Sequence, residues 1–170
     1  MTQRLLITAS LLAVTLSAQT APSFILALSA NGTGSTTLYP DEPLLLDTML
    51  LLDEGGEASI AMLENQPWTA GLTVSISDSE GKEVPVTWKG FGPPPSSFDF
   101  PSPASSISAV SGIDAATIGT LPAGVYRLNA TFDNRSLAAP GSWSGIVRAM
   151  TMTLTVSATP RPDGSKQQVF

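Results

Sequence analysis

Between Tyr126 and Phe132 the chain switches polarity at every residue. Tyr126, Leu128, Ala130 and Phe132 are apolar, while Arg127, Asn129 and Thr131 between them are polar. A period of two gives a strand one buried face and cannot do the same for a helix. Leu121-Pro122-Ala123-Gly124 in front reads as a turn, with Pro122 stiffening it and Gly124 able to supply a positive φ. Such a strand needs partners, and the same alternation recurs. Leu72, Val74 and Ile76 alternate with Thr73, Ser75 and Ser77. Met150, Met152, Leu154 and Val156 alternate with Thr151, Thr153 and Thr155 in a closing strand over 147–156.

Further strands are expected over 23–28, through Leu38 and Tyr39, weakly over 59–63, and briefly over 107–110 and 116–118. The Asn31-Gly32-Thr33-Gly34 turn and the Pro40-Asp41-Glu42-Pro43 break separate the early ones. Asp78-Ser79-Glu80-Gly81-Lys82 reads as a hairpin turn with Val84–Trp88 returning as the partner strand. Residues 44–52 fit two readings. As a strand they present Leu44, Leu46, Leu50 and Leu52 on one face and Asp47 and Asp53 on the other. As a helix they have Pro43 at the first position and Gly55 as a stop. The strand is favoured because the segment is short and its surroundings are β. Hydrophobic residues make up 42% of the chain and charged ones 13%, with 14 Gly and 14 Pro, a mixture suited to short strands joined by turns. The expected fold is all-β, an antiparallel sandwich of seven to nine strands in one domain over 19–157, with a disordered polar tail over 158–170.

Tyr126, just after a Gly-containing turn at the start of a strand, resembles the tyrosine corner of immunoglobulin-like sandwiches. The series Leu121, Gly124, Tyr126, Leu128, then Trp143-Ser144-Gly145 and an alternating last strand, is similar to exported bacterial immunoglobulin-like or fibronectin-type-III-like domains. Tyr39-Pro40-Asp41-Glu42-Pro43-Leu44 is similar to an early strand of the same class. The resemblance implies a Tyr126 ring buried at one end of the core, with its hydroxyl bonded to the preceding turn. Leu128 stands where antibody domains carry their second Cys, so packing alone must join the sheets. These motifs are structural and imply no catalytic residue. Secreted proteinase-inhibitor sandwiches are a fainter likeness.

Arg4 followed by an apolar run over 5–16 and then Ser17-Ala18 reads as a signal peptide over 1–18, too short for a membrane span. Its removal leaves seven bases against fourteen acids, a net of −7. The chain has no Cys, hence no lipid-anchoring cysteine and no disulfide. The expected location is extracytoplasmic, secreted or periplasmic in a bacterium, without membrane insertion after cleavage. An acidic protein lacks the positive field that nucleic acid or an anionic membrane requires.

There is also no His, which removes Ser–His catalysis and the commonest metal ligand together. No carboxylate pair stands out for glycoside chemistry. The expected function is therefore non-enzymatic, with no cofactor and no metal. The acids Asp41, Glu42, Asp47, Asp53, Glu54, Glu57 and Glu64 run without an intervening base, which fits a calcium site, a polarised binding face or simply solvated loop ends. Asp78-Ser79-Glu80-Gly81 lacks the spaced oxygens of a calcium loop. The candidate partner-binding residues are Phe91, Phe98 and Phe100 in the Pro-rich loop over 89–105, together with Trp143 from the loop over 133–145. The alternative is that this loop folds over a sheet edge and buries its rings. An unknown protein partner is the leading expectation; proteinase inhibition through the same loop and carbohydrate binding through Trp68 and Trp143 are the others. Asn31, Asn129 and Asn134 head glycosylation sequons, which matter only in a eukaryotic secretory route.

Overall fold

The structure, a computed structural model, describes residues 21–40, 42–90, 95–113 and 115–162. Among the described residues twelve strands follow in order: β1 (Ser23–Ala30), β2 (Thr36–Leu38), β3 (Leu44–Glu54), β4 (Ala58–Ala61), β5 (Leu72–Ser77), β6 (Glu83–Val84), β7 (Lys89–Gly90), β8 (Ser97–Phe100), β9 (Ser106–Ile113), β10 (Gly124–Asp133), β11 (Ile146–Arg148) and β12 (Met152–Val156). One sheet has the order β1-β3-β9-β7. The other runs β2-β12-β10-β5-β6, with β11 also paired to β10. A small third sheet pairs β4 with β8.

This is the order of an immunoglobulin sandwich. β1, β3, β9 and β7 occupy the A, B, E and D positions, and β12, β10, β5 and β6 the G, F, C and C′ positions. β2 leaves the first sheet to pair in parallel with β12, Leu38 opposite Val156. The fold is therefore an all-β, immunoglobulin-like antiparallel sandwich.

The segment over 44–52 is strand. Leu44, Leu46, Thr48, Leu50 and Leu52 are all buried, and alternation over so many residues overrides the helix preference of Leu and Met. Asn31-Gly32 makes the turn into β2, both with positive φ (49° and 77°). The Asn31 side chain then bridges to the next strand, accepting from Leu45 N–H at 2.8 Å and donating to the Pro43 carbonyl at 3.2 Å. Two core clusters fill the space between the sheets. One gathers around Leu38, Leu44, Ile76, Tyr126 and Leu154, the other around Phe24, Leu50, Trp68, Phe100 and Phe132.

Several expectations change. The partner of β5 is only Glu83–Val84, because the next residue, Pro85, has no N–H to give the ladder. The stretch over 116–118 belongs to a helical turn, α1 (Ala115–Ile118), which carries the chain between the sheets and plugs the core with fully buried Ile118. The closing strand is interrupted. Phe132 faces Val147 in one half and Leu128 faces Met152 in the other, so one extra residue is inserted in between. Val147 and Met152 both point inward, five positions apart, and Met150 is turned out at 90% exposure.

The tail is anchored beyond its expected start: Arg161 forms an ion pair with Glu42. Residues 163–170 and the whole signal-peptide segment lie outside the described residues.

Candidate functional site

β3 ends and β1 begins at the same end of the sandwich, Ser23 opposite Glu54, and β10 ends there too, since Phe132 and Phe24 both touch the Trp143 ring. The connection from β3 to β5, the one from β7 to β9 and the one from β10 to β12 meet there. β4 belongs to the first connection and β8 to the second, and they pair Ser59 with Asp99 and Ile60 with Phe98. The third connection lies along the other edge of β4. Trp143 N–H donates to Ser59 O at 2.8 Å, and Ala139 N–H to Ala61 O at 2.8 Å. The Ser142 hydroxyl donates to Ala139 O at 2.8 Å.

Over these pieces lies an open groove of about 590 Å³. Its lining includes Glu57 and Ser59 from the first connection, Asp99 and Phe100 from the second, and Ser142 and Trp143 from the third. Both titratable residues of the lining are acidic and exposed.

Beneath the groove, aromatic rings touch in a continuous series. Phe98 meets Phe100 at 4.9 Å between centroids, Phe100 meets Phe24 at 5.0 Å, and Phe24 meets Trp143 at 4.7 Å. Trp143 then stacks on Phe132 at 6.3 Å, and Phe132 meets Trp68 at 5.7 Å. Edge and offset contacts of this kind stabilise by about 0.5–1.5 kcal/mol per pair beyond area burial. The floor of the groove is thus continuous with the core.

Two residues hold Trp143 in place. Asn134, fully buried, donates from Nδ2 to the Trp143 carbonyl at 2.8 Å and accepts from Gly145 N–H at 2.8 Å. Gly145 leaves room for the ring: a Cβ there would lie 2.5 Å from Trp143 Cζ2. Neighbouring Asp133 is bound through both carboxylate oxygens by Arg135, at 3.0 and 2.9 Å. The side-chain hydrogen bonds from Arg135 hold its pKa below the usual carboxylate value.

Of the candidate binding residues, Phe91 lies outside the described residues. Phe98 is half-buried against the core, and Phe100 has 0% exposure. The segment over 89–105 is therefore not one loop, because Ser97–Phe100 is strand and its rings face inward. Trp143 is half-buried at the groove wall. Trp68 is 1% exposed, so Trp68 and Trp143 do not form a shared exposed stacking face.

The corner residues lie at the opposite end. Tyr126 is 5% exposed and its hydroxyl donates to the Pro122 carbonyl at 2.7 Å. Leu121 packs against the core cluster to which Tyr126 belongs. Gly124 is exposed, opens β10, and is not among the residues with positive φ, so the turn is made without a left-handed glycine there. Among the described residues no group of three or more Asp or Glu is placed to hold a metal ion. Nothing in the sequence flagged Asn134 as a staple. Its only visible mark was a sequon, and its amide is buried with both ends engaged.

No family model and no curated protein matches the chain. Among solved structures it is similar to the CARDB domain of the PF1109 protein from Pyrococcus furiosus, crystallised in complex with di-metal ions. The identity is 9% and the TM-score 0.40, over 80% of this chain and 89% of that one. It is also similar to the periplasmic chaperone SfaE (13%, TM-score 0.34, 82% and 61%). A third is the cupredoxin domain of amoB from Nitrosocaldus yellowstonii (14%, TM-score 0.31, 74% and 63%). At such low identity and overlap these likenesses add nothing to what the strand order already establishes.

Proposed function

We propose that this protein is a non-enzymatic, extracytoplasmic binding or accessory domain that recognises a protein partner at the end of the sandwich carrying the groove. The observation that carries the reading is the convergence of three separate connections on one groove, floored by the aromatic core and rimmed by Glu57 and Asp99. In immunoglobulin variable domains, loops gathered at one end of the sandwich hold the binding site, which is an analogy of fold and not of chemistry. The part of the 89–105 segment that serves this reading is Asp99, Phe100 and Pro101, lining the groove.

Site-specific photocrosslinking tests it. A photoreactive residue is placed at Glu57 or Asp99, with Lys82 in the hairpin turn at the other end as control, and the exported fraction of the native host supplies the partner. A discrete adduct from the groove positions and none from Lys82 is expected. Equal labelling from all three positions, or adducts from Lys82 alone, would overturn the assignment.

A further inference from the structure

At the end of the sandwich away from the groove, Glu42 is 4% exposed and carries a carboxylate into the protein. The turn between β2 and β3 holds it. Glu42 N–H donates to Tyr39 O at 3.0 Å, and Tyr39 N–H donates to Glu42 Oε2 at 3.4 Å. A guanidinium fills the space in front of this carboxylate. Arg161 Nε donates to Oε1 at 2.9 Å and Nη2 to Oε2 at 3.1 Å, the two-pronged geometry that distinguishes Arg from Lys. The same guanidinium lies over the Tyr39 ring, its Cζ 4.6 Å from the centroid.

The parts come from distant chain segments with unequal roles. Tyr39 and Glu42 belong to a turn fixed between two strands of the sandwich. Arg161 belongs to the stretch after β12, which joins no sheet. A short hydroxyl-mediated turn brings it over. Ser157 N–H donates to Leu38 O at 2.8 Å, Thr159 N–H donates to Ser157 Oγ at 3.1 Å, and Ser157 Oγ bonds back to Thr159 O at 2.9 Å. The receptor is thus built into the fold, while its occupant arrives on a strap.

We propose that Tyr39 and Glu42 form a guanidinium-binding site, with Arg161 as its intramolecular ligand and an arginine on an extended segment of a partner as the intermolecular one. A buried carboxylate left without a cation is costly, so the site favours whichever arginine is at hand. The strap has the advantage of tethering, which corresponds to an effective concentration on the order of millimolar. An incoming arginine therefore gains access when the strap is withdrawn. This site is separate from the groove, and the two proposals stand or fall independently.

The test uses the full chain and an acetylated, amidated peptide of residues Thr159–Pro162 as the probe, with binding followed by calorimetry. The peptide should bind Arg161→Ala saturably, and at least about tenfold more tightly than wild type, where the strap competes. The double variant Arg161→Ala/Glu42→Gln should lose that binding. Should Arg161→Ala melt without cooperativity, millimolar peptide should restore a cooperative melt. Equal binding to wild type and Arg161→Ala would overturn the proposal. So would a folded Arg161→Ala that binds no peptide, or an unfolded one that the peptide does not rescue.

Discussion

The Tyr126 hydroxyl donates a 2.7 Å hydrogen bond to the carbonyl of Pro122, four residues upstream, and so ties the turn before β10 to that strand, which lies in the middle of the second sheet. The ring contributes by burial and the hydroxyl by that single bond, so two substitutions separate them. Tyr126→Phe should cost about 0.5–1.5 kcal/mol, the net worth of one hydrogen bond. Tyr126→Ala should cost about 3–5 kcal/mol, because an aromatic cavity is added. Urea melts give both values, and a neutral Tyr126→Ala would contradict the corner's role.

Asn134 connects Trp143 and Gly145 across the groove-end connection through both ends of its amide. Asn134→Ala leaves two main-chain groups without that partner and should cost about 1–3 kcal/mol. Increased amide exchange at Gly145 should accompany it. A stable variant with unchanged exchange would show that the staple is dispensable.

Gly145→Ala tests how tightly the Trp143 ring is held. The added methyl would sit 2.5 Å from the indole, so the ring must move off the groove wall. A destabilisation of about 1–3 kcal/mol is expected, with a shift in Trp143 fluorescence on a Trp68→Phe/Trp88→Phe background. An unshifted spectrum would mean that the ring has other room.

Asp47 sits on the outer side of β3 with Oδ1 buried and without a hydrogen-bond partner among the described residues. Burial, which disfavours the charged form, raises its pKa above the usual carboxylate value. The native state therefore holds the proton more tightly than the unfolded chain. The stabilisation is fully present below the unfolded value and is lost as pH rises through the folded one. Asp47→Asn should remove that loss, so it raises the melting temperature at pH 7 and changes it little at pH 3. An equal effect at both pH values would contradict the assignment.

The sandwich was legible because its strands obey local rules. Tyr126, Leu128, Ala130 and Phe132 are buried and alternate with more exposed neighbours, as a period of two requires. The same rule failed over 147–156, where a one-residue bulge at Ala149–Thr151 changes the phase and leaves Met150 outside. No residue type marks a bulge of that kind.

β8 was hidden for a different reason. Ser97–Phe100 is short, flanked by prolines, and becomes a strand only by pairing with distant Ala58–Ala61. The groove, the Asn134 staple and the Arg161–Glu42 pair share this property. Each is made by residues far apart in the chain, and nothing in their immediate neighbours records the contact.

The surface proposed to meet the partner is the groove end, with its acidic rim of Glu57 and Asp99. Glu57→Lys/Asp99→Lys reverses both exposed charges while leaving the aromatic floor and the strand pairing in place. Crosslinking is then repeated from Ser59, which lines the same groove. In the reversed variant the Ser59 adduct should be lost, with the melting temperature within a few degrees of wild type. An adduct of undiminished yield in that folded variant would contradict it.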